Sequence, residues 1–409
     1  MFTCLVLALI HLIWVTFCIA APKNESRRVP SELFNSLEEL SRLVDIAYCV
    51  GTTGVQEPFQ CLSHCAEFPD LELITTWNTG ILLSDSCGYM AISHTPGMKR
   101  IILAFRGTYS ITNTIIDLSA YPQAYVPYTG EDPENPSALT QNTKCENCTV
   151  HAGFMTSWLN TRETVMPQLS AVRKQYPDYE ITLVGHSLGG AVAALAGLEM
   201  QVKGWNPSVT TFGEPMVGNQ EFVEFIDKHF HMGRYHIPGS DRVKRAFRRV
   251  THVNDPIPLL PLEEWGYAAH AGEIYISKPD LSPGIEDVEI CEGDRDSRCI
   301  AGAETGALLL DMYRDVNIPL DVFSTRLDPC PSYTGPSGSD PRHQFVLGTQ
   351  RDRVELGDCA SHDATAPLYP LHWDWSLIPA RYRLWELFHA HRDYFWRIGL
   401  CVPGGDPTG

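Results

Sequence analysis

Gly185-His186-Ser187-Leu188-Gly189 is the group of residues best suited to chemistry in this chain. It follows the apolar run Ile181-Thr-Leu-Val184 and opens a stretch of small and apolar residues from Leu188 to about Lys203, which Gly204 stops. A serine on a tight turn from strand to helix is exposed for nucleophilic attack, and the flanking glycines are needed because side chains there would collide where strand and helix close together. The helix start adds backbone N–H donors and a favourable dipole for developing negative charge. A bare G-x-S-x-G recurs by chance. Here the strand precedes it, and Gly190, Ala191, Ala193 and Ala194 let the helix behind it pack close. Serine is a poor nucleophile until a neighbouring base takes its proton, and that base must be oriented by a third group.

In strand–turn–helix serine enzymes the chain order is Ser, then an acid, then His. Asp255 lies just past the strand-like Val250-Thr-His-Val253 and before Pro256-Ile-Pro258, where the acid belongs; its other reading is a turn-forming Asp-Pro. Asp241 is a weaker rival in a charged loop. Six histidines follow Asp255: His270, His343, His362, His372, His389 and His391. Spacing alone does not choose among them. His270, in Gly266-Tyr-Ala-Ala-His-Ala-Gly272 just before a strand, has the surroundings of a packed structural histidine.

These residues need a scaffold. From about Ser31 to Cys299 strand-like and helix-like segments alternate at short spacing, the pattern of an α/β protein with a mostly parallel sheet. Strands are expected at Ile101–Phe105, Ile181–Val184, Ser208–Phe212, Val250–Val253 and Ile274–Ser277. No internal repeat is present. From about Ala303 to Pro379 the texture changes, with Asp328-Pro-Cys-Pro331 and Tyr333 to Pro341 predicting long loops. Helical spacing with interleaved aromatics returns from Arg381 to Trp396.

The chain has 409 residues, 49 acidic against 31 Lys and Arg, and a net charge of -18. So acidic a surface repels phosphate backbones, which argues against nucleic-acid binding. Phe2 to Ala21 is almost wholly apolar and ends in small residues, as a signal peptide over 1–21 would; the missing basic start leaves an uncleaved anchor as the other reading. No later run approaches the roughly 18 apolar residues of a membrane span. Thirteen cysteines then fit an oxidising, extracellular location. Asn24-Glu25-Ser26 is a glycosylation sequon, and Arg27-Arg28 would serve as a dibasic processing site ending a short propeptide over 22–28. Arg242, Lys244, Arg245, Arg248 and Arg249 form the basic run, read as a solvated face, with contact to an anionic lipid surface as the alternative. No metal constellation and no phosphate-cradling glycine loop is found, and no cofactor is implied.

The chain resembles the fungal class 3 lipases, and within them the extracellular Yarrowia-type group. The resemblance rests on Ala47-Tyr-Cys-Val50, Pro58-Phe-Gln-Cys61, Cys65, Phe105-Arg-Gly-Thr108, Cys145-Glu-Asn-Cys148 and Val150-His-Ala-Gly-Phe154. It rests equally on Gly185 to Gly190, Phe212-Gly-Glu-Pro-Met-Val-Gly-Asn219 and the Cys291 to Cys299 segment. It implies an α/β-hydrolase fold over 29–302, completed by 387–409. The ending His391-Arg-Asp-Tyr-Phe395, followed by Cys401, is similar to the family segment that carries the catalytic histidine, which makes His391 the base, with His389 its rival, and leaves His270 out. The same likeness assigns the oxyanion hole to Thr108, through its backbone N–H and hydroxyl, and to the backbone N–H of Leu188; each such donor is typically worth about 3 kcal/mol in barrier. It places a lid helix at Ser110 to Leu118, where Ile111, Ile115 and Leu118, with Ile116 beside them, offer an apolar face to lipid. It pairs Cys49 with Cys401, Cys61 with Cys65, Cys145 with Cys148 and Cys291 with Cys299. Cys330 and Cys359 are left to pair with each other and Cys87 to be a buried free thiol.

The chain departs from compact relatives between Asp255 and His391, 136 positions apart. The excess, 303–386, is a solvent-side excursion or a cap over the acyl or leaving-group pocket, and Tyr369, Trp373, Trp375, Tyr382 and Trp385 are its core or a substrate wall. The expected protein is a secreted, monomeric serine hydrolase that cleaves acylglycerol esters at a lipid–water interface. A feruloyl or other soluble-ester esterase is the second reading, and a non-catalytic lipid-binding protein the third.

Overall fold

Leu33, Leu37, Leu40, Val44 and Ala47 recur at helical spacing, and Ser31–Ala47 forms helix α1 with these side chains buried. In the computed structural model the described residues are 27–80, 86–108, 122–125, 144–236, 244–302 and 389–402. Strands β1 (Leu71–Asn78), β2 (Cys87–Ser93) and β3 (Arg100–Arg106) follow α1 as an antiparallel meander. A short β4 (Pro122–Ala124) pairs with β5 (Thr149–His151), and helix α2 (Ala152–Gln175) leads to β6 (Glu180–His186). Helix α3 (Leu188–Val202), β7 (Ser208–Phe212), α4 (Gln220–His229), β8 (Phe247–His252), β9 (Glu273–Ile276) and β10 (Val288–Ile290) complete the order. The main sheet runs β1-β2-β3-β6-β7-β8-β9-β10. Its centre, β3-β6-β7-β8-β9, is parallel, and β10 returns antiparallel at the edge.

The central strands read as continuous apolar runs because helices cover both faces, as parallel sheets require. Ile101 to Phe105 and Ile181 to His186 are buried throughout. Helix α3 is buried along almost its whole length, and its small residues allow close approach; a Cβ at Gly197 would meet Val209 Cγ2 at 2.5 Å. All five expected strands are present. Helices α1 and α2 and strands β1 and β2 were not legible beforehand. The helix expected over Arg381 to Trp396 does not continue past Ala390: residues 391–397 are turns tied by an Asp393↔Arg397 bridge and by Ile398 N–H donating to Arg392 O at 2.9 Å. Tertiary anchoring of these side chains overrides the helical spacing. Residues 303–388 and the aromatics at 369, 373, 375, 382 and 385 lie outside the described residues.

The basic run is also corrected. Arg249 is buried and faces Glu273 at 3.5 Å, and Arg248 is half-buried, because both lie on β8 in the sheet interior rather than on a solvated face. Arg242 lies outside the described residues. Near the chain start, Arg27 is buried, donates from Nε to Ile290 O at 3.2 Å and pairs with the buried Asp296, while Arg28 bridges to Glu289. Both arginines are built into the edge of the sheet.

Disulfides join Cys49 to Cys401, Cys61 to Cys65, Cys145 to Cys148 and Cys291 to Cys299. Cys87 carries a buried thiol that donates to Asn78 Oδ1 at 3.0 Å. Asn24, Cys330 and Cys359 lie outside the described residues.

Candidate active site

Strand β6 ends at His186 and α3 begins at Leu188, so Ser187 is the single residue that turns the chain. It does so at φ 58°, ψ -131°, a conformation that costs a non-glycine residue on the order of 1–3 kcal/mol and persists only where the surroundings enforce it. They do: Ser187 N–H donates to Phe212 O at 2.9 Å and Ser187 O accepts from Gly190 N–H at 2.8 Å. The flanking glycines are sterically required. A Cβ at Gly185 would lie 2.2 Å from Gly189 O, and one at Gly189 would lie 2.3 Å from Phe105 O. The result is a buried Ser187 whose Oγ has no hydrogen-bond partner among the described residues.

Asp255 lies three residues beyond β8, at the C-terminal edge of the sheet like Ser187. Its Oδ1 accepts from Ile257 N–H at 2.9 Å and its own N–H donates to His252 O at 3.0 Å, so it shapes its own turn. The turn-forming reading of this residue therefore holds, and one lone-pair side of the carboxylate is left for a second partner. His391 Nδ1 lies 2.9 Å from both Asp255 oxygens. A carboxylate only accepts, so Nδ1 carries the proton and Nε2 is left with its lone pair. Nε2 is buried and has no partner among the described residues. Hydrogen bonds between nucleophile and base are often open without substrate and close in the reacting complex. The Tyr394 hydroxyl donates to Asp255 Oδ2, and burial, then the Asp255 charge, push its phenol well above the ordinary tyrosine range, which keeps that donor protonated.

The donor to Asp255 is His391; the His389 carbonyl accepts the N–H groups of Arg392 and Asp393, both at 2.8 Å, and forms the turn that presents His391. His270 is occupied elsewhere, with Nε2 2.9 Å from Glu214 Oε1 and Nδ1 2.7 Å from Ala271 O. Thr108 follows Gly107, where a Cβ would lie 2.6 Å from the Ser187 Cβ, so the segment after β3 is packed against the serine. Leu188 opens α3, and the first amides of a helix have no intrahelical acceptor. Asp241, His343, His362, His372 and the lid residues Ile111, Ile115, Ile116 and Leu118 lie outside the described residues.

One group of candidate metal ligands occurs among the described residues: Glu273, Cys291 and Cys299. Its two sulfurs are joined to each other and offer no thiolate, and Glu273 is engaged by Thr251 Oγ1 at 2.6 Å and Ile300 N–H at 3.1 Å.

A strained serine at a strand-to-helix turn, a histidine held by a carboxylate, and a largely parallel sheet carrying the serine and the carboxylate at its edge have counterparts among known proteins. The family described as Lipase (class 3) matches residues 102–265. Lipase A of Sodiomyces alcalophilus is 48% identical over 404 residues, covering 95% of this chain and 86% of its own length. The chain belongs to the class 3 lipase family. The secreted mono- and diacylglycerol lipase 2 of Gibberella zeae is also 48% identical, over 95% of this chain and 86% of its own length. The solved structure of Lip2 lipase from Yarrowia lipolytica superposes with a TM-score of 0.59 at 34% identity, over 68% of this chain and 91% of that one. This lipase is therefore a carboxylic ester hydrolase of the α/β-hydrolase fold. Tyr394, three positions past His391, was not singled out by its sequence: an aromatic after a histidine carries no spacing signal, and only the fold brings its hydroxyl to Asp255.

Proposed function

We propose that this class 3 lipase is a secreted, monomeric hydrolase of acylglycerol esters, triacylglycerols foremost, acting at a lipid–water interface through an acyl-enzyme. The observation that carries the reading is the His391–Asp255 hydrogen bond in a chain whose Ser187 is held strained at the strand-to-helix turn. Ser187 Oγ attacks the ester carbonyl while His391 Nε2 takes its proton. The tetrahedral oxyanion is held by Thr108, through its N–H and hydroxyl, and by the Leu188 N–H. His391 returns the proton to the departing glycerol oxygen, and Asp255 holds the tautomer and stabilises the imidazolium throughout. Water activated by His391 then releases the fatty acid. The extracellular location is supported by the names of the relatives and by four disulfides.

Hydrolysis of a long-chain triacylglycerol emulsion beside a soluble short-chain ester tests the substrate class. The expected result is faster turnover of the emulsion, with a jump in rate once substrate exceeds its solubility. Activity confined to the soluble ester would overturn the interfacial reading in favour of a soluble-ester esterase.

A further inference from the structure

Two buried side chains outside the catalytic residues meet at the centre of this site. His186 Nε2 is 2.7 Å from the backbone carbonyl of His391, and His186 Nδ1 is 2.6 Å from the Tyr48 hydroxyl. Gly107 N–H donates to the same hydroxyl at 3.0 Å. The protons in this chain of bonds follow from chemistry. A carbonyl only accepts, so His186 Nε2 is the donor. Burial, and next the proximity of His391, hold the His186 imidazole well below its ordinary pKa, so the ring is neutral and Nδ1 is an acceptor. Tyr48 then donates to Nδ1, and its oxygen receives the Gly107 amide. One directed run of hydrogen bonds leads from Gly107 through Tyr48 and His186 to His391.

The ends of that run matter. Gly107 precedes Thr108, His186 precedes Ser187, and His391 is held by its own carbonyl. Tyr48 caps α1 and is followed by Cys49, whose disulfide to Cys401 fixes the same C-terminal segment. The His186 and His391 rings lie 4.6 Å apart at 34°. A neutral neighbour at that distance leaves the imidazolium formed during catalysis unopposed by a like charge.

We infer that Tyr48 and His186 form a strut that positions the oxyanion segment, the nucleophile and the catalytic histidine relative to one another. Neither residue touches substrate; both are positioning residues. The inference rests on the triad reading above and deepens it: the strut joins three segments that are remote in the sequence and that the triad hydrogen bonds alone do not join.

The test is the steady-state kinetics of Tyr48→Phe, His186→Leu, the double variant and His186→Gln on a soluble ester, with rates expressed per folded molecule from circular dichroism. The strut predicts that Tyr48→Phe and His186→Leu each lower kcat on the order of 10- to 100-fold while KM stays within about threefold, the signature of an interaction made in the transition state. The double variant falls no further than the worse single one, because the two side chains act as a unit. His186→Gln, which keeps a donor within reach of the His391 carbonyl, recovers part of the loss. Wild-type kcat per folded molecule in Tyr48→Phe, or losses that multiply in the double variant, would overturn the strut. Failure of the triad reading would look different, since the Ser187→Ala variant would then keep the activity of the wild-type enzyme.

Discussion

Asp255→Ala will lower kcat on the order of 10⁴-fold with little change in KM, the scale set by removing the acid of a comparable triad. The carboxylate has three partners here, and each loss has its own consequence. His391 Nδ1 loses the acceptor that fixes its tautomer, so Nε2 no longer faces the serine as a base. Ile257 N–H and the Tyr394 hydroxyl lose theirs inside the fold, which loosens the turn that holds the position. Asp255→Asn will fall on the same scale: His391 Nδ1 lies 2.9 Å from both carboxylate oxygens, so the amide nitrogen that replaces one of them donates to Nδ1 and fixes the wrong tautomer. Turnover of a soluble ester by both variants, at matched folded fraction, checks that each falls this far. An alanine variant within tenfold of wild type would refute the assignment.

Removing the Cys49–Cys401 disulfide, as Cys49→Ser with Cys401→Ser, will cost about 5 kcal/mol of stability. The bridged residues are 352 apart in sequence, and in the chain-entropy account closing so long a loop restricts the unfolded state more than any of the other described disulfides. That is comparable to the whole margin of many domains, about 5–15 kcal/mol. The segment it anchors carries His391. What remains to hold it is a handful of hydrogen bonds: Gly399 N–H donating to the buried Asp45 at 2.6 Å, Arg392 donating to Gly399 O at 2.7 Å, and the contacts of His391 and Tyr394 with His186 and Asp255. Activity should therefore be lost before the sheet melts, read as an inactivation temperature below the midpoint seen by circular dichroism. Coincident transitions at the wild-type temperature would contradict this.

How much was legible beforehand follows from how local each feature is. The elbow is readable because strand, glycines, serine and small-residue helix are contiguous, and each is forced by the same crowding. Asp255 is readable by its place past a strand. The histidine is not readable from spacing, because what selects it is a contact across 136 positions, made by a turn rather than the helix its spacing suggests. Family likeness supplied what spacing lacked. Tyr48, His186 and Tyr394 stand inside the recognised motifs with no role assigned to them by spacing; all three are buried, and their hydroxyls and ring nitrogens acquire a role only when distant segments meet. Arg27-Arg28 and Arg248-Arg249 show the converse. The first reads as a processing site and the second as part of a solvated face, yet Arg27 and Arg249 lie inside, opposite Asp296 and Glu273, carboxylates brought to them by the fold.

The central claim is that Ser187, activated by His391, is the nucleophile. Treating the secreted protein with a fluorophosphonate and mapping the adduct by peptide mass spectrometry tests it directly. The account predicts complete inactivation with one adduct, on Ser187, no adduct in Ser187→Ala, and labelling slowed at least about a thousandfold in His391→Ala. Inactivation with the adduct on another residue, or labelling undiminished in Ser187→Ala, would contradict it.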